Sequence, residues 1–98
     1  MTASRVENIE LLLRQAFAPS ELQVRDQSHL HEGHAGARDG KGHFAVTIVS
    51  EHFSGLNRIA RHRMVYDALG EFMKSEIHAL RINALTPAER ESPGHPDN

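Results

Sequence analysis

HFAVTIVS, His43 to Ser50, is the stretch on which the fold turns. Its β-branched residues disfavour a helix, and alternation places Phe44, Val46 and Ile48 on one face with Ala45, Thr47 and Val49 on the other. Apolar residues on both faces predict a central strand rather than an edge. Upstream, Leu22 and Val24 alternate with Gln23 and Arg25, a short half-buried strand running out near Asp26. The two strands are joined by a glycine-rich segment, Ser28 to Gly42, in which no periodic element fits, so they form a long-looped hairpin. Downstream, Phe53 and Gly55 lie in a turn, and a helix from about Asn57 to Lys74 buries Val65, Leu69, Phe72 and Met73. From Ile77 to Leu85, Leu80, Ile82 and Ala84 alternate with Ala79, Arg81 and Asn83, the pattern of a third strand. A crossover helix between the second and third strands requires those two to run parallel.

Ser4 and Glu7 are spaced as a capping box that opens the first helix, whose apolar stripe is Val6, Ile9, Leu13 and Phe17 and which Pro19 ends. Thr86-Pro87-Ala88-Glu89 repeats the capping pattern at a short last helix. The expected architecture is α+β, ordered α-β-β-α-β-α, with a three-stranded sheet and helices on one face. Strand order is left open. Residues 1 to 91 form one domain, and Ser92 to Asn98, with two prolines and a glycine, reads as a disordered tail in which His95 is inert.

Composition narrows the chemistry. The chain of 98 residues, 39% hydrophobic and 24% charged, has room for a single core. It contains no cysteine, which removes disulfides, thiolate catalysis and all-cysteine metal sites. A formal charge of -2 gives no general attraction to nucleic acid or acidic membranes. No apolar run is long enough to span a bilayer, and Met1 to Gln15 lacks a signal-peptide core, so a cytoplasmic protein is expected.

Eight histidines are the distinctive asset, and His29, His31 and His34 fall within six positions on a backbone loosened by Gly33 and Gly36. Neutral imidazoles so placed suit a metal site built from a loop, although a solvated polar loop accounts equally well for the spacing. His43, at a strand start, is expected to be structural. His78 opens the third strand where side chains emerge at a surface. A second cluster is RIARHR, Arg58 to Arg63, at the start of the long helix, where the dipole disfavours cations. Arg58, Arg61 and His62 share the bearing of Val65 and Leu69, whereas Arg63 points away, toward a possible i, i+4 pairing with Asp67. These four are candidates for an anionic partner such as phosphate, or for pairing with carboxylates of the domain. No nucleophile, base and orienting group come together, and no phosphate-binding glycine motif lies between a strand and a helix, so a binding module is expected rather than an enzyme.

VRDQSHLHEGHAG, HFAVTIVSEHFSGLNRIARHRMVYDAL and IHALRINALTPAE together resemble the BolA family, over roughly Val6 to Arg90. RHRMVY, Arg61 to Tyr66, and IHAL, Ile77 to Leu80, are the most specific elements. The resemblance implies an αββαβα domain similar to the type II KH fold, monomeric alone and paired as a heterodimer with a monothiol glutaredoxin in iron-sulfur cluster assembly and trafficking. It also implies a 2Fe-2S cluster held on one side by the glutaredoxin cysteine and glutathione, and on the other by a loop residue and an invariant histidine. That histidine matches His78. The loop ligand in a cysteine-free chain is a histidine, here His31, with His34 close behind. Some members are ascribed DNA binding as transcriptional regulators of stress or morphology, the alternative reading. KH domains grip single strands through a GXXG loop, and FSGLNRIARHR has Gly55 without a second glycine, which disfavours that mode.

Overall fold

A computed structural model describes residues 4–28 and 41–91. Three strands, β1 (Glu21–Asp26), β2 (Gly42–Val49) and β3 (Ile77–Leu85), form one sheet in the order β1-β2-β3. The segment read as central lies in the middle, antiparallel to β1 and parallel to β3. Register aligns Leu22 with Ile48 and Val24 with Val46, then Phe44 with Leu80 and Val46 with Ile82, so one face of all three strands is apolar.

Helix α1 (Arg5–Phe17) and helix α2 (Arg58–Leu69) cover that face. The core is Ile9, Leu13 and Phe17 from α1, Phe44, Val46 and Ile48 from β2, and Val65 and Leu69 from α2, closed by Phe53 and Ile77. Phe53 sits in a 3-10 turn, Glu51–Phe53, that carries the chain from β2 toward α2. The capping box on α1 is present: Ser4 Oγ accepts from Glu7 N, and Glu7 accepts from Ser4 N. α1 ends where Ala18, in the left-handed region at φ 44°, donates its N–H to Arg14 O just before Pro19. The last helix, α4 (Pro87–Arg90), has the expected Thr86 and Glu89 box.

One expectation is corrected. The helix read as unbroken from Asn57 to Lys74 is two, α2 and the short α3 (Glu71–Ser75), divided at Gly70 with φ 54° and ψ -128°. A positive φ is open to glycine at little cost, and the break turns the chain so that Phe72 and Met73 flank the core without entering it. Among the described residues no helix is long and apolar enough to cross a membrane.

Candidate functional site

Antiparallel pairing of β1 with β2 and parallel pairing of β2 with β3 bring the exit of β1 and the entries of β2 and β3 to one end of the sheet. Three hydrogen bonds tie this end together. Gln27 N donates to His43 O (2.8 Å), His43 N to Ser28 Oγ (3.1 Å), and Gly42 N to Glu76 O (3.0 Å). Gly42 is required by crowding. A Cβ there would stand 2.5 Å from Phe44 Cε2 and 3.0 Å from Ser28 Oγ.

The ladder between β2 and β3 then slips. Gly42 pairs with Ile77 but His43 pairs with Ala79, leaving His78 as the extra residue of a bulge. Bulges re-aim side chains, and here the His78 ring lies against the His43 ring, with centroids 5.0 Å apart and planes inclined by 39°. His78 is exposed, whereas His43 is half-buried with Nε2 shielded from solvent. His43 therefore belongs to the geometry of the site as well as to the strand. Nothing local in the sequence marks a register slip, so spacing alone does not reveal the contact of His43 with His78. His29, His31 and His34 lie outside the described residues, as do the tail and His95. The ends of the segment carrying the three loop histidines, Ser28 and Lys41, attach at the same end of the sheet as His78. Among the described residues no group of three or more histidine, cysteine or acidic side chains is disposed to hold a metal ion. The donors in place are two imidazoles.

The arginine cluster divides. Arg61 is turned inward: Nε donates to Leu56 O (2.8 Å), Nη1 to Ala84 O (2.9 Å), and the fork meets both carboxylate oxygens of Glu89 at 2.7 and 3.0 Å. Those bonds, with help from Thr86 N, lower the Glu89 carboxyl from 4.5 to about 2. Arg61 thereby fastens α2 to β3 and α4. Its side chain is only 12% exposed. His62 is half-buried, and Arg63 is exposed as its bearing requires, although no ion pair joins it to Asp67 among the described residues. Arg58 shares the inward bearing but is exposed, because it is the first residue of the helix, well ahead of the first buried position, Val65.

A small mixed sheet with helices on one face, and with His43 and His78 in contact at its bulged end, is an α+β fold of the kind the sequence resembles. The family model described as BolA-like protein matches residues 13–89, and the chain belongs to that family. It is 45% identical to "SufE-like protein 1, chloroplastic/mitochondrial" of Arabidopsis thaliana over 88% of this chain but 24% of that protein. It is 41% identical to "DNA-binding transcriptional regulator BolA" of Escherichia coli (strain K12), over 87% of this chain and 78% of that one. The solved BolA domain of SufE1 from Arabidopsis thaliana superposes with a TM-score of 0.78 at 41% identity, covering 91% of this chain and 99% of that one.

Proposed function

We propose that the chain is a binding module, not an enzyme, that shares a 2Fe-2S cluster with a monothiol glutaredoxin during cluster assembly and trafficking. The observation that carries this is convergence: His78, on its bulge, stands at the end of the sheet where the segment bearing His31 and His34 attaches. A chain with no cysteine can offer such a cluster only nitrogen, so the sulfur ligands must come from the glutaredoxin cysteine and glutathione. His78 supplies one imidazole and His31 or His34 the other, while His43 supports the His78 ring from behind. Mixed ligation of this type raises the potential of the cluster. Imidazole binds metal only when neutral, so acid releases the cargo from this side first.

The test mixes the chain with a cluster-loaded monothiol glutaredoxin and glutathione and follows visible absorption and circular dichroism. A new spectrum is expected, lost on His78→Ala and on His31→Ala with His34→Ala. Persistence of the glutaredoxin homodimer spectrum, or indifference to all three replacements, overturns the reading.

A second reading, a DNA-binding transcriptional regulator, draws on the name of the Escherichia coli relative and on the exposure of Arg58 and Arg63. Arg61 is less suited to phosphate, being committed to Glu89. Two phosphate contacts would give a salt slope of only about -2, and the Arg58→Ala, Arg63→Ala variant should abolish it.

A further inference from the structure

The face of the sheet away from the helices carries a basic rung. Register places Arg25 of β1, Ala45 of β2 and Arg81 of β3 side by side on it, followed by Gln23, Thr47 and Asn83. Both arginines are exposed, and neither has an ion pair among the described residues, unlike Arg5, Arg61 and Arg90. Ala45 and Thr47 between them are half-buried and short, so the face is a shallow trough with β2 as its floor. One end is closed: Arg90 of α4 reaches Glu21 of β1 at 3.0 and 2.8 Å, beside Val49, which is only 1% exposed. The other end runs to His43 and Ala79, beside the His78 ring. Glu21 is the only acidic residue these three strands place on this face, and Arg90 neutralises it.

We infer that this trough docks an acidic peptide segment of a protein partner, with Arg25 and Arg81 clasping its carboxylates over Ala45. Two strand spacings set the arginine Cα atoms about 10 Å apart, within reach of a carboxylate between them from either side. The next rung offers two amides and a hydroxyl, the donors and acceptors that a peptide backbone needs. A nucleic acid fits less well, because Gln23, Thr47 and Asn83 on one side offer no ring for base stacking, and the rings on the other side, His43 and His78, lie against each other with centroids 5.0 Å apart. In a chain of net charge -2, a face of this sign steers an acidic partner to one side and one register. The site requires no cluster and stands independently of the proposed function.

The experiment is a chemical-shift titration of the full 15N-labelled chain with a hexaglutamate peptide. The amides of Ala45, Thr47 and Arg81 should shift together. Affinity should fall about tenfold in the R25Q/R81Q variant, which keeps the exposed surface polar, and further in R25E/R81E, while R58Q/R63Q binds as the parent. Shifts confined to α2, or parental affinity in R25Q/R81Q, would overturn the inference. So would tighter binding of a single-stranded DNA of equal charge to the same amides, which would give the face to nucleic acid instead.

Discussion

At the Val49 end of the sheet, polar side chains are held by partners inside the domain. Ser50 Oγ donates to Phe17 O at 2.8 Å, Arg61 grips Glu89, and Arg90 pairs with Glu21. At the His43 end, the Gln27 and Gly42 N–H groups and the Ser28 hydroxyl hold the scaffold, and His78 lies exposed against the His43 ring. The same kinds of residue therefore serve stability at one end and present chemistry at the other. What separates them is geometry: a polar group that meets carbonyls and carboxylates of its own chain becomes a fastening, and one aimed outward by a bulge becomes available to a partner.

The sharpest way to break this contrast is to exchange the roles of two arginines from a single helix. Arg61→Ala removes a fork that satisfies Leu56 O, Ala84 O and Glu89, and should cost about 2–3 kcal/mol in urea denaturation. Arg63→Ala, on the exposed side, should stay within about 0.5 kcal/mol. Arg61→Lys should recover little, since an ammonium lacks the fork that meets both oxygens of Glu89. Equal losses at 61 and 63 would mean that burial and bonding do not distinguish them.

A smaller effect is expected at the other end from Gly42→Ala. The new methyl would press on the Phe44 ring, itself only 2% exposed, and on Ser28 Oγ, so strain of about 2 kcal/mol is expected. Hydrogen exchange of the Gln27 and His43 amides should rise with it, because both bonds belong to the junction that would have to shift. Unchanged exchange there would show that this end is more compliant than its crowding implies.

Much of this arrangement is legible in the order of residues alone. Alternation in HFAVTIVS and IHALRINAL marks the strands and their buried faces, and a helix between them dictates the parallel pairing. Both capping boxes are readable because their partners lie three residues apart. What escapes such reading is non-local. The break at Gly70 is hidden because apolar residues continue in helical phase across it. Helical bearing shows that Arg61 faces inward, yet its carboxylate partner lies 28 residues away on α4, a distance over which spacing carries no information. The meeting of His43 with His78 depends on a one-residue slip between two strands separated by α2 and α3. His31 and His34, read from the sequence as loop ligands, fall outside the described residues.

The smallest effect isolates the charge in the fastening. Glu89 has a folded pKa of about 2 against 4.5 ordinarily, a depressed carboxylate, so its contribution is complete above about pH 4.5, shrinks as acid is added, and is gone below about pH 2. The carboxylate is 40% exposed, and water screening reduces the benefit at neutral pH to roughly 1 kcal/mol. Glu89→Gln is the informative replacement. Its amide oxygen can still accept from Thr86 N and from Arg61, so the cap survives while the charge is removed. Measured side by side from pH 7 to pH 2, the parent should lead by roughly 1 kcal/mol at neutrality and converge on the variant at the acid end. Every other titrating group is common to both proteins and cancels in the difference. If the gap remained constant down to pH 2, the cap and not the ion pair with Arg61 would be what Glu89 contributes, and the Val49 end would be fastened by neutral hydrogen bonds.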